Sequence, residues 1–245
     1  MSEGLDAHPD PAEVARLQRA RALVMAEIRA ACERVGRDPA GVQLIAVSKT
    51  VPAERLRAAV AAGLRDLGEN RVQEATAKAD LVRGARWHLI GPLQSNKTRR
   101  AVETFDAIQT VDSTALAVRL DGVARELRPD RPLPVMLQVN VDGDPAKSGF
   151  TTRALVASLP EVVALAGLDV RGLMTVGRFV QEPAEARATF VALRRLSEQV
   201  RSTDSRLGPE LSMGMSADFQ IAVEEGATVV RVGQAIFGTR SARAD

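Results

Sequence analysis

The sequence contains no tyrosine, one tryptophan, one cysteine and two histidines among 245 residues, and aromatics make up only 3% of it. Each scarcity closes off a class of function. Stacking platforms for single-stranded nucleic acid need several exposed aromatic rings, which this chain does not have to spare. The lone cysteine, Cys32, has no partner for an internal disulfide, and no group of Cys and His has metal-ligand spacing. Cys32 falls in a helical run, where a buried structural thiol is expected in preference to a reactive one. No apolar run reaches the ~18 residues that span a bilayer. The segment Met1 to Pro11 is polar and acidic, without the basic and apolar regions of an export signal, so a cytoplasmic protein is expected. Charge of one sign is missing too: 33 basic residues face 31 acidic ones, a net of +2. The short basic run Lys97-Thr98-Arg99-Arg100 reads as a solvated helix face. Neither nucleic acid nor a membrane is expected as a partner.

What is present is a soluble-protein composition, 45% apolar and 26% charged, in a length suited to one α/β barrel. Pro11 to Gly36 has helical spacing and a closing glycine. After it, β-rich runs alternate with amphipathic helical stretches. The strand candidates are Val42–Ser48, Asp66–Gly68, Trp87–Ile90, Ala107–Val111, Val135–Val141, Val170–Thr175, Glu210–Met213 and Thr228–Val232. Helices are predicted near Ala53–Ala62, Val72–Val82, Lys97–Thr104, Ser113–Leu127, Thr151–Leu165, Pro183–Ser202 and Ala217–Glu225. Strand–helix alternation argues for parallel βαβ units. Eight of them suit a closed (β/α)₈ barrel better than an open doubly wound sheet of about five or six strands. No linker divides the chain, so residues 1–245 are expected to form one domain with an extra N-terminal helix and a flexible start over residues 1–10. Arg128–Pro134 and Leu207–Pro209 read as loops into the fifth and seventh strands. The aromatic-poor surface offers no obvious apolar patch, and a monomer is expected.

Function in such a barrel sits at the C-terminal ends of the strands. The first strand runs out as Ile45-Ala46-Val47-Ser48-Lys49-Thr50, and two-residue alternation puts Ile45, Val47 and Lys49 on one face. An amine held against apolar walls loses solvation, which favours the neutral nucleophile that forms Schiff bases. By itself, Lys49 reads more simply as a solvated strand-end lysine. The eighth strand changes that reading. It runs into Gly233-Gln234-Ala235-Ile236-Phe237-Gly238, and loops after strands seven and eight are a common phosphate site in this fold. Gly233 permits close backbone approach to an anion. Ser212-Met213-Gly214-Met215-Ser216, after strand seven, adds hydroxyls and another glycine. Any phosphorylated metabolite would suit this constellation, with Lys49 as a phosphate or carbonyl contact.

The segments Ala46-Val47-Ser48-Lys49-Thr50, Gly68-Glu69-Asn70, Trp87-His88-Leu89-Ile90-Gly91-Pro92-Leu93-Gln94-Ser95-Asn96-Lys97, Gly172-Leu173-Met174, Ser212-Met213-Gly214-Met215-Ser216 and Arg231-Val232-Gly233 resemble the pyridoxal phosphate homeostasis protein family. The resemblance runs in order from Val42 to Arg240. It implies a fold type III barrel like the N-terminal domain of alanine racemase, binding pyridoxal 5′-phosphate (PLP) as an internal aldimine. Lys49 then matches the PLP-linked lysine. Ser212, Gly233 and Gln234 match phosphate contacts, Asn70 and Met213 match positions lining the cofactor, and Arg231 matches the arginine facing the pyridine nitrogen. Two positions depart from the family pattern: Gln234 replaces a frequent Thr or Ser, and Arg71 replaces a frequent Tyr. The implied role is vitamin B6 homeostasis, with apo PLP-dependent enzymes as recipients of the cofactor.

A weak amino-acid racemase is the alternative. A permanently charged Arg231 would donate to an unprotonated ring nitrogen, which makes the ring a weaker electron sink. Racemases of this barrel type take a tyrosine from a second domain, and this chain contains none. No residue is therefore assigned a catalytic role. His88 reads as a hydrogen-bonded structural residue in preference to an acid or base. The segment Gly91–Lys97 is either a surface at the barrel mouth or the start of the next helix.

Overall fold

The computed structural model describes residues 8–177 and 182–238. The expected flexible start (residues 1–7 of it) and the far end of the resemblance at Arg240 lie outside the described residues. Eight parallel strands close into a barrel in sequence order. They are β1 (Gln43–Val47), β2 (Asp66–Glu69), β3 (Arg86–Leu89), β4 (Ala107–Val111), β5 (Leu133–Gln138), β6 (Leu168–Met174), β7 (Glu210–Ser212) and β8 (Val229–Val232). The ring closes where Ala46 of β1 pairs with Val232 of β8.

Nine helices accompany them among the described residues: α1 (Pro11–Arg34), α2 (Ala53–Ala61), α3 (Val72–Ala79), α4 (Thr98–Thr104), α5 (Thr114–Leu127), α6 (Thr152–Val162), α7 (Arg187–Thr203), α8 (Phe219–Glu224) and α9 (Gln234–Phe237). Helix α1 starts at the Asp10 cap, whose Oδ1 accepts from the Ala12 N–H at 3.0 Å, with Pro11 at the first helical position. Its buried stripe, Leu17, Val24, Ile28, Ala31 and Cys32, recurs at helical spacing and packs on α2, α8 and α9. Cys32 is fully buried, and burial pushes its thiol up, which makes it the structural residue expected.

Two layers of burial follow from strand alternation. One face of each strand joins the continuous apolar core under the helices, where Ala46, Leu67, Leu89, Val230 and Val232 sit. The inward face is partly polar. Among the buried groups His88, Gln109, Ser212 and Arg231 stand on strands of the barrel. A barrel interior filled with hydrogen-bonded polar side chains is a costly choice for stability alone. Sequence expectation and structure differ at β5, which begins at Leu133 and so takes in Pro134, read from the sequence as loop. Proline lacks a ladder donor, and Pro134 sits beside the register irregularity between Val135 and Met136, the kind of bulge at which a strand tolerates it. Helix α9 was not anticipated, because four residues carry no periodicity to detect.

Candidate functional site at the C-terminal end of the barrel

Lys49 stands two residues beyond β1, at the C-terminal end of the barrel. It is exposed, not enclosed by the apolar walls expected from the strand alternation. The reason lies in the backbone: β1 ends at Val47, and Thr50 has φ of 65°. A left-handed β-branched residue is strained and needs support from its surroundings.

That support is a buried polar knot directly beneath the turn. Glu69, the last residue of β2, is wholly buried. It accepts from the Ser48 hydroxyl at 2.8 Å and from Lys78 Nζ of α3 at 2.8 Å. Lys78 also donates to the Ser48 carbonyl at 3.3 Å, and the Val51 N–H closes back onto that same carbonyl at 3.0 Å. Burial raises the Glu69 carboxyl, against the lowering effect of the Lys78 contact. One oxygen, Oε2, has no hydrogen-bond partner. Sequence reading did not single out Glu69 or Lys78. Glu69 lay within the quoted Gly-Glu-Asn motif, but its pairing with a residue one helix later had no local signal.

The seam between β8 and β1 brings the glycine loop to the same place. A Cβ on Gly233 would meet Val47 Cβ at 3.3 Å, so the loop lies against the end of β1. Gln234 follows at the start of α9 and is exposed. The loop is pinned from behind: Arg16 of α1 donates to the Ile236 carbonyl at 3.2 Å, and Arg55 of α2 donates to the Phe237 carbonyl at 3.1 Å. Glu13 bridges those two arginines, which hold its carboxyl down at about 2. Asn70, half-buried, follows β2 and is clamped by Gly91, where a Cβ would fall 2.4 Å from the Asn70 carbonyl oxygen. The segment beginning at Gly91 thus borders this end of the barrel, and its second half, Ser95–Lys97, is a 3₁₀ turn leading into α4. Arg71 is 77% exposed and lies 3.8 Å from Glu74.

The two hydroxyls at and after the end of β7 have different places. Ser212 is fully buried inside the barrel, donating to Gln109 Oε1 at 2.7 Å and accepting from Arg231 Nη1 at 2.6 Å. Its oxygen is committed there and does not meet the glycine loop. The hydroxyl that does is Ser216, whose Oγ accepts the Gly233 N–H at 3.1 Å. Met213 turns to the opposite face and is packed in the core under the helices. Alternation explains both, since neighbouring residues on a strand face opposite sides.

Arg231 is 4% exposed and also donates Nη2 to the Thr175 carbonyl at 2.8 Å. These contacts use two of its five donors. Burial lowers it to about 10, with Asp218 opposing, so it stays cationic at neutral pH. Its N–H bonds the Gly214 carbonyl at 3.1 Å, tying β8 to the loop after β7. His88 makes no side-chain hydrogen bond to Arg231 or Ser212. It stands on β3 with Nε2 3.0 Å from Asp66 Oδ1, at the first residue of β2 and hence toward the N-terminal end of the barrel.

The family model described as alanine racemase, N-terminal domain, matches residues 20–241. Curated relatives narrow this. The pyridoxal phosphate homeostasis protein of Pseudomonas aeruginosa is 48% identical over 226 residues, covering 89% of this chain and 94% of that one. The chain belongs to the pyridoxal phosphate homeostasis protein family. The Escherichia coli K12 member is 40% identical over 228 residues, with 89% and 94% covered. The solved structure of PipY from Synechococcus elongatus PCC7942 with PLP bound is 45% identical at a TM-score of 0.76, covering 87% of this chain and all of that one. Alanine racemase of Clostridium difficile 630, 13% identical at a TM-score of 0.68, shares the barrel fold and covers 89% of this chain but 58% of its own.

Proposed function

We propose that this chain binds PLP at the β8–β1 seam and serves intracellular vitamin B6 homeostasis, holding the cofactor for release to apo PLP-dependent enzymes. The observation that carries the reading is the seam itself, where Gly233 lies against Val47 two residues short of Lys49. The family's name and the PLP-bound PipY relative support the cofactor's identity. PLP supplies an aldehyde that condenses with an amine and a ring that withdraws electrons.

The residues present fit that group. Lys49 provides an exposed amine on a turn held by the Glu69–Lys78 pair. Gln234 at the start of α9 provides a backbone amide for the phosphate, Gly233 lets the backbone approach, and Ser216, whose oxygen accepts the Gly233 N–H, has its own proton to give as the accompanying hydroxyl, while Ser212 is engaged inside the barrel. Met213 contributes backbone only, since its side chain is in the core. Arg231 is the cation for the pyridine nitrogen, and Ser212 and Thr175 hold it in place. A charged arginine there keeps the ring nitrogen unprotonated and the ring a modest electron sink. The chain has no tyrosine to serve as the second acid–base group of a racemase. Holding PLP is therefore the activity these residues support best, with no catalytic residue assigned.

The same reading makes the protein a cytoplasmic monomer. The buried, unpaired Cys32 is in keeping with a reducing compartment. Its larger exposed apolar residues, such as Leu23, Val118 and Val156, are scattered over different helices. Transfer of PLP from the loaded protein to an apo-enzyme, run against free PLP, tests the role. Activation faster than by slow leakage into solution supports it, and racemisation of alanine at enzyme-like rates would sink it.

A further inference from the structure

Helix α9 is four residues long, and a helix of one turn does not hold itself together in water. Its first bonds run from the Ile236 and Phe237 N–H groups back to the Gly233 carbonyl, at 3.0 and 2.9 Å. The Gln234 and Ala235 amides precede those bonds and have no acceptor inside the helix. At the other end, the Ile236 and Phe237 carbonyls have no donor inside it.

The donors for those two carbonyls come from other elements. Arg16 belongs to α1, the helix that precedes the eight strands, and donates Nη1 to the Ile236 carbonyl at 3.2 Å. Arg55 of α2 donates Nη2 to the Phe237 carbonyl at 3.1 Å, and its guanidinium lies 5.9 Å from the centre of the Phe237 ring. Cations at the C-terminal end of a helix also suit its dipole. Glu13 joins the two arginines: Oε2 accepts from Arg16 Nε at 2.7 Å, and Oε1 accepts from Arg55 Nε at 2.8 Å. Held down at about 2 by Arg16 and Arg55, the Glu13 carboxyl stays ionised at neutral pH. Stability alone gives little reason for this network. Arg16 and Arg55 are 37% and 36% exposed, and ion pairs so open to solvent add little. Helix α1 is already seated by the buried Leu17, Val24 and Ile28.

We infer that Glu13, Arg16 and Arg55 are positioning residues for the phosphate, holding α9 in the conformation that presents its leading amides and so setting the preference for a phosphorylated over an unphosphorylated aldehyde. Their role rests on the PLP reading, with the phosphate at the start of α9. Without the clamp, α9 is formed in only part of the molecules, and affinity for the phosphate end falls by that fraction. The aldehyde end, at Lys49, has its own support in Glu69 and Lys78 and keeps its affinity.

Pyridoxal is the discriminating probe, because it carries the ring and the aldehyde but no phosphate. Absorbance titrations of PLP-free protein with PLP and with pyridoxal give the two dissociation constants. Glu13→Gln, Arg16→Gln and Arg55→Gln should each weaken PLP about fivefold or more and leave pyridoxal within about twofold. Arg34→Gln breaks the bridge from α1 to Glu224 of α8, so it controls for loosening α1 as a whole and should change neither constant. Equal losses for PLP and pyridoxal in variants that keep the wild-type circular dichroism overturn the clamp. So does an unchanged PLP constant in Glu13→Gln, or a loss in Arg34→Gln as large as in Glu13→Gln. Those outcomes leave the PLP reading standing, whereas a wild-type protein that takes up neither aldehyde, or binds both equally, overturns that reading of the α9 end and the clamp with it.

Discussion

Replacing Lys78 with methionine removes the ammonium beside Glu69 while keeping the side chain's length. Glu69 is wholly buried, and its carboxyl is already raised above an ordinary value near 4.5 by burial, which outweighs the help of Lys78 and Ser48. A raised carboxyl means that the native protein holds more protons than the unfolded chain between the unfolded and folded values. Stability therefore falls as pH rises through that window. Without Lys78 the carboxyl moves higher, and the variant carries the penalty over a wider range. Protonating Glu69 is its escape from burying a bare charge. From 4.5 to pH 7, at about 1.4 kcal/mol per unit, that escape costs about 3.5 kcal/mol, which caps the loss. At pH 5 the same escape costs below about 1 kcal/mol. Urea unfolding of wild type and Lys78→Met at both pH values measures it. With a slope of roughly 3 kcal/mol/M, the midpoint drops by up to about 1 M at pH 7 and by much less at pH 5. A second substitution, Glu69→Gln, should remove the pH dependence. Equal destabilisation at pH 5 and pH 7 would refute the electrostatic account and leave only lost packing.

Three further outcomes follow from the site. Ser216→Ala should weaken PLP retention by about 1–2 kcal/mol, roughly five- to thirtyfold in dissociation constant, as one hydrogen bond to a charged group is lost; equilibrium dialysis reads it. Ser212→Ala should leave the phosphate contacts intact and instead shift the absorbance of bound PLP, because Arg231 and Gln109 lose their shared partner; an unchanged spectrum with a weakened phosphate contact would reverse the two serines' roles. Gly91→Ala should displace Asn70 and reduce PLP loading, since the added methyl meets backbone at 2.4 Å and not a side chain that can swing away.

The fold was legible because the signals were periodic. Strong β-runs such as Val135–Val141 and Val170–Thr175 alternate with amphipathic helices, and connection rules do the rest. Even the compositionally weak strands at Asp66 and Glu210 form, since closure of the barrel pairs them on both sides. At the site, sequence located the loops but not the orientation of residues within them. Ser212 and Ser216 lie four positions apart with the same chemistry, and only strand direction assigns one to the interior and the other to Gly233. Strand alternation carried past the end of β1 would hold Lys49 against apolar walls at the barrel mouth, but the turn at Thr50 takes over there and leaves it exposed. The Glu69–Lys78 and Glu13–Arg55 pairs join residues from separate elements, and no local pattern announces such contacts.

The central claim is that Lys49 holds PLP. Borohydride reduction of the PLP-loaded protein, followed by peptide mapping, places the label directly. The account predicts a single pyridoxyl group on the peptide containing Lys49, and none in Lys49→Ala. Label on Lys78, Lys97 or Lys147 in the wild-type protein, or undiminished label in the variant, would contradict it.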